Sequence, residues 1–247
     1  QHGLTGPDQP IEGRWGLRHV QGDFEWAPFG GRGGPFRINE THLKYFPAVV
    51  HAQSPVSAAL ELYGQVDVQD IDSITIDSYW VANRYSDPSR ATLWNPTTRE
   101  TADHSIPYVV AAALLDGDLT EAAYTPERIA DPRLRELMRK IAIREKPEFT
   151  AAYPHGWPCR IEIKTKNGER KVADVKFFKG HAKKPLSDAE VEMKFRRLTA
   201  EFLEPARSDA LLGSLWQLDE SSDVRTVLEL IEVREKLRHS GPAARRG

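Results

Sequence analysis

Cysteine occurs once in this chain of 247 residues, at Cys159. A disulfide within the chain is therefore excluded, and so is a four-cysteine zinc or iron–sulfur site built from this chain alone. Methionine is nearly as scarce, at Met138 and Met193 only, and the first residue is Gln1. The expectation is a trimmed or partial chain, with Gly3-Leu4-Thr5-Gly6-Pro7 as a loop entered from something earlier. Charge of one sign is also lacking. Lys and Arg number 34 against 36 Asp and Glu, for a net charge of −2. That balance argues against a nucleic-acid partner and against an acidic solvating tail. No apolar run is long enough to cross a bilayer, and no signal-peptide pattern opens the chain. The expected compartment is the cytoplasm, with no membrane partner.

Hydrophobic residues make up 40% and charged residues 28% of the chain, enough for one large domain or two small ones with a real core. Residues 1–40 are rich in Gly and Pro and end in Gly30-Gly31-Arg32-Gly33-Gly34-Pro35, which predicts loop and linker. Val56, Ala59, Leu60 and Tyr63 keep helical spacing over 54–65, with Ser54 as a cap and Pro55 in the first position. Ile71 to Trp80 alternates as a strand does. A helix is predicted over Ile106–Leu115, capped by Ser105 and ended by Gly117. Another runs over Thr125–Lys140, broken at Asp131-Pro132, and Ile141–Phe149 reads as a strand. Ile161, Ile163 and Thr165 alternate, Asn167-Gly168 turns the chain, and Ala173, Val175 and Phe177 alternate again, which is a strong hairpin pattern. Ser187 and Glu190 form a capping box for a helix reaching about Phe202. Helical stretches follow over 205–216 and 222–238, with a frayed tail after His239. The expected fold class is α+β: a loop or linker over 1–40, an α+β domain over 41–180, and a helical segment over 181–247.

Three histidines precede three of these helix starts. His51 lies just before Ser54, His104 adjoins Ser105, and His181 leads toward Ser187. Helix N-termini carry unpaired N–H groups and partial positive charge, so they favour anions. A histidine beside one can exchange a proton with a bound acid. Convergence of these starts would make a pocket for a molecule with several carboxylates. Each histidine also has an ordinary reading as a structural hydrogen-bonding residue, and Lys183-Lys184 as a solvated pair. Asp103 is a candidate to orient the His104 imidazole, although adjacent residues of a chain often point apart. No G-x-S-x-G, H-E-x-x-H or Walker sequence is present.

Four segments in order carry a family resemblance: Gly3-Leu4-Thr5-Gly6-Pro7 with Glu12-Gly13, Lys44 to Ala59, Ala102 to Gly117, and Gly180-His181 leading into Leu186-Ser187-Asp188. Together they resemble the MmgE/PrpD family. Pro47-Ala48-Val49-Val50-His51-Ala52-Gln53 and Asp103-His104 resemble its branch that dehydrates 2-methylcitrate. The decarboxylating branch has a histidine where this chain has Val49. The resemblance implies a helical domain formed from both chain ends, a smaller α+β lid, a cleft between them, a homodimer, and no metal or organic cofactor. Here the expected fold is the lid followed by helices of the helical domain, truncated at the N-terminus. The resemblance places Lys44 in the active site. The expected reaction is loss of water from 2-methylcitrate, a small tricarboxylic acid, giving 2-methyl-cis-aconitate. In that reading Lys44 stabilises developing charge or acts as base. His51 carries a proton, and Gln53, His104, Ser105 and His181 bind substrate. The rival readings are a decarboxylase, an epimerase or another dehydratase of the same family, and a non-catalytic subunit that completes a site with a second polypeptide.

Overall fold

In the computed structural model the described residues are 9–14, 16–26, 30–31 and 33–233. The Gly3–Pro7 segment, the end of the helix expected to reach 238, and the tail after His239 lie outside them. Backbone contacts divide the chain into two units, Gln1–Thr41 and His42–Gly247. In the first, α1 (Leu17–Gln21) and a 3-10 turn over Arg37–Glu40 are the helical pieces among the described residues. Both are short, as the glycine and proline content predicts.

The second unit begins with an extended segment and a 3-10 turn at Val50–Ala52 that runs straight into α2 (Gln53–Leu62). The expected cap at Ser54 is displaced. Ser54 lies inside the helix, and its hydroxyl donates to the carbonyl of Trp157 at 2.6 Å. β1 (Ile71–Ser78) stops two residues earlier than its alternation suggests. Trp80 opens α3 (Trp80–Tyr85) instead, and its backbone N–H donates to Thr150 Oγ1 at 2.8 Å. Short helices α4 (Ala91–Trp94) and α5 (Arg99–Asp103) lead to α6 (Ile106–Asp116). Ser105 caps α6 by accepting the N–H of Tyr108, and Gly117 ends it with φ +71°. Every residue from Ile106 to Leu114 is buried, as expected of a helix that is apolar all round.

The break at Asp131-Pro132 separates α7 (Pro126–Ile129) from α8 (Pro132–Arg139), and the Asp131 carboxylate caps the second. β2 (Ile141–Glu145) is short because Pro147 opens α9 (Pro147–Ala152) within the stretch that had read as strand. β3 (Cys159–Thr165) and β4 (Arg170–Val175) form the Asn167-Gly168 hairpin, with Gly168 at φ +89°. α10 (Asp188–Thr199) carries the Ser187–Glu190 capping box, and α11 (Pro205–Trp216) and α12 (Arg225–Ile231) complete the helical segment.

The four strands lie in the order β2-β1-β3-β4. β1 is parallel to β2 and antiparallel to β3, so Ile74 stands between Ile141 and Ile163, and Ile76 between Ile143 and Ile161. One sheet face carries Ile74, Ile76, Ile161, Ile163, Ala173 and Val175, all buried. α2 covers it, and α6 packs behind α2. Each of the isoleucine and valine side chains contributes about 1.5–3 kcal/mol by leaving water. The opposite face is tied by the ion pairs Arg160–Asp174 and Lys164–Asp72. This is an α+β arrangement, and its main core runs from Tyr45 to Phe178. A separate small cluster of Leu203, Leu211 and Val227 holds the last helices together.

Candidate functional site

The stretch from His42 to Val49 belongs to no helix or strand, so its backbone needs partners from elsewhere. Each carbonyl from Lys44 to Ala48 has one. Lys194 Nζ donates to those of Lys44 and Tyr45, at 2.5 and 2.9 Å. Gln53 Nε2 donates to those of Phe46 and Ala48, at 3.1 and 3.2 Å, and its Oε1 accepts the N–H of Phe46. The Tyr124 hydroxyl donates to the carbonyl of Pro47 at 2.7 Å. The N–H of Val49 then donates to the carbonyl of Asp103 at 2.9 Å, which sets the His51 turn beside the Asp103-His104 pair. Upstream, the N–H of Leu43 donates to the carbonyl of Gly180 at 2.9 Å. A Cβ at Gly180 would stand 2.0 Å from the Leu43 oxygen, so the close approach requires glycine there.

These bonds bring the predicted histidines onto one line of stacked and tilted rings. The half-buried imidazole of His51 lies over Trp157, with centroids 5.5 Å apart, and its Nδ1 is 2.8 Å from the Tyr79 hydroxyl. Tyr85 stands 5.8 Å from His51 and 6.3 Å from His104. Trp157 continues the line to His42 at 6.1 Å, and His42 stacks on His181 at 4.0 Å. Burial holds the His51 pKa below its ordinary value. Burial first, then neighbouring His42 and Lys183, push that of His181 down to about 4. Burial raises Tyr85, against the pull of Arg90, whose guanidinium lies 4.6 Å over the Tyr85 ring. Burial also pushes the Tyr79 phenol far above its ordinary value. The Trp157 indole N–H is buried and has no hydrogen-bond partner among the described residues. The line thus offers imidazoles, phenols and a guanidinium beside one another, a set suited to proton transfer at an anion.

The six predicted residues are placed differently from one another. His51 and His104 flank Tyr85, and His104 Nδ1 is hydrogen-bonded to the Asp103 carboxylate. Lys44 is exposed and lines a groove of about 680 Å³ with Arg99, Lys194, Arg197 and Glu121. No histidine is among that groove's lining residues. Gln53 and Ser105 are fully buried. The Gln53 amide is spent on the backbone of 46–48, and the Ser105 hydroxyl donates to the carbonyl of Leu93 while capping α6. His181 is buried, and its Nδ1 accepts the N–H of Lys183 at 2.9 Å. The sequence reading passed over Tyr79, Tyr85, Trp157, His42 and Lys194. His42 was within reach, two residues before Lys44. No local pattern distinguishes Trp157 from a packing tryptophan, and nothing in an amphipathic helix marks Lys194 as a backbone clamp.

Among the described residues no group of three or more His, Cys, Asp or Glu side chains is arranged to hold a metal ion. Nor is any helix there long and apolar enough to cross a membrane.

Comparison with known proteins gives a consistent result. A sequence model of the MmgE/PrpD C-terminal domain matches residues 46–218. The chain is 37% identical to 2-methylcitrate dehydratase of Salmonella typhimurium over 145 residues, covering 56% of this chain and 29% of that protein. It is 36% identical to 2-methylcitrate dehydratase of Cupriavidus necator over 137 residues, covering 49% and 28%. Cis-aconitate decarboxylase of Mus musculus is 28% identical over 137 residues, covering 56% and 28%. The match therefore spans less than a third of the length of these relatives.

Proposed function

Because the chain belongs to the MmgE/PrpD family, we propose that it forms part of a hydro-lyase that dehydrates 2-methylcitrate to 2-methyl-cis-aconitate. The observation that carries this reading is the adjoining placement of His51, Tyr85 and His104, with Asp103 against His104 and Arg90 over Tyr85. A proton beside a carboxylate is weakly acidic, so its removal needs a positioned base and stabilisation of the charge that develops. The histidines supply proton-handling groups and Arg90 supplies positive charge. Lys44, in a groove that it shares with Arg99, Lys194 and Arg197 but with no histidine, is assigned to a substrate carboxylate. Gln53, Ser105 and His181 act as the frame that holds these groups. Higher identity to the two dehydratases than to the decarboxylase supports dehydration over decarboxylation. The family resemblance supports a cytoplasmic homodimer that uses no metal or organic cofactor.

The test is to supply 2-methylcitrate, citrate and cis-aconitate and to follow ultraviolet absorbance of the new double bond together with carbon dioxide release. Dehydration of 2-methylcitrate, reduced at least about 100-fold by Lys44→Ala, is the expected result. Carbon dioxide from cis-aconitate without dehydration would replace this reading with the decarboxylase one. The span of the match favours a second reading as well, in which the chain completes its site with another polypeptide segment. Binding of 2-methylcitrate without turnover, followed by turnover when that segment is supplied, is its signature.

A further inference from the structure

His51 and His104 stand near the same phenol ring, yet different kinds of group engage their Nδ1 atoms. At His51 the partner is Tyr79, whose side chain is 1% exposed and whose hydroxyl has His51 Nδ1 as its one hydrogen-bond partner among the described residues. If that hydroxyl accepted an Nδ1–H, its own hydrogen would be a buried donor left unmatched. The phenol therefore donates, and Nδ1 accepts. A neutral imidazole that accepts at Nδ1 carries its proton on Nε2. At His104 the partner is the Asp103 carboxylate, which when ionised only accepts. His104 must then donate from Nδ1 and keep its lone pair on Nε2, as histidines held by carboxylates do.

We infer that Tyr79 and Asp103 are positioning residues that set opposite tautomers in the two imidazoles, making His51 a hydrogen-bond donor and His104 the base. The inference rests on reading this site as one that removes a proton next to a carboxylate. The proton passes to His104 Nε2. The pair left by the carbon–hydrogen bond forms the new carbon–carbon double bond. The hydroxyl departs with the carbon–oxygen pair and takes the proton back from His104, so that water leaves and the imidazole is neutral again. His51 stays neutral throughout, and its Nε2–H donates to a substrate carboxylate or to the departing oxygen. A relay from His51 into Tyr79 is closed, because it would leave a phenolate among the buried rings of Tyr153 and Trp157. Burial disfavours that charge strongly. The groups that face His51 are Tyr79, Tyr85, Tyr153 and Trp157, none of them charged at neutral pH.

The experiment is a two-bond proton–nitrogen correlation spectrum of the nitrogen-15-labelled full chain at pH 8, without ligand. His51→Gln and His104→Gln assign the two rings. The expected result is a protonated Nε2 on His51 and a protonated Nδ1 on His104. Asp103→Ala returns His104 to the Nε2–H form. Tyr79→Phe raises the titration midpoint of His51, because the donor that favoured its neutral form is gone. A proton on Nδ1 of His51, the same tautomer in both rings, or an unmoved midpoint in Tyr79→Phe would overturn the inference. Should Tyr79→Phe fail to fold, the wild-type spectrum decides alone. The spectra are read on unliganded protein, so absence of turnover with 2-methylcitrate sinks the substrate assignment and leaves the tautomers standing.

Discussion

Gln53 shows how much a single buried amide can organise. Its carboxamide makes three hydrogen bonds to the backbone of residues 46–48, and no apolar side chain of similar size can replace them. Gln53→Leu leaves the Phe46 N–H and the Ala48 carbonyl unmatched, while the Phe46 carbonyl keeps the Ala48 N–H. The expected cost is roughly 2–4 kcal/mol, read as a lower urea midpoint with an unchanged slope. At His181 the sign of the pH effect follows from its depressed pKa. The unfolded chain takes up this proton near pH 6.5 and the folded one near 4. The stabilisation from the neutral ring is complete above about pH 6.5 and is lost as pH falls toward 4, to a total of about 3 kcal/mol. Urea melts between pH 7 and 4 measure it, and His181→Phe flattens the slope over that window. Residue types told the sequence reading which groups carry chemistry. Their partners were another matter. Tyr79 lies beyond the predicted middle of a strand and Trp157 lies more than a hundred positions from His51, so no local pattern linked either to it. Asp103 beside His104 was legible as a pair because the two are neighbours in the chain.

Elements were legible wherever a local interaction settles them. The capping box at Ser187, the Gly117 stop and the Asn167-Gly168 turn all stand where the sequence places them, since each is decided within a few residues. Ser187→Ala removes the acceptor of the Glu190 N–H. It is expected to cost about 1 kcal/mol, seen by thermal or chemical melting. Boundaries set by distant groups were not legible. Ser54 looks like a cap from its neighbours, but its hydroxyl serves Trp157. β1 ends early because Thr150, from α9, takes the N–H of Trp80. The strand predicted over Ile141–Phe149 gives way to α9 after Glu145, where Pro147 both ends the ladder and suits a helix start.

At the scale of the molecule, the second unit holds two cores of very different size. The large one joins the sheet to α2 and α6, while among the described residues the last helices share the buried Leu203, Leu211 and Val227 with the partly buried Phe195, Phe202 and Leu230 against them. Their outer sides leave Trp216, Leu228 and Ile231 about half exposed. Local opening costs least where few apolar groups are buried. Native-state hydrogen exchange is therefore expected to be slowest in β1, β3 and α6, and faster by at least about 100-fold in α11 and α12. Equal protection across both regions would contradict this division. The mixed order of strands and helices made the α+β class legible. The order of the sheet was not, because β1 pairs with strands that lie far along the chain.

That pairing has a consequence for synthesis. β1 leaves the ribosome before either of its neighbours, and the whole stretch from α3 to α9 must follow before Ile163 can settle beside Ile74. Until β2 follows, the isoleucine-bearing strand has both edges open, and the edge that β3 will take stays open through α9, a form that invites pairing with other chains. A nascent polypeptide stalled ahead of Cys159 is the species most in need of a chaperone.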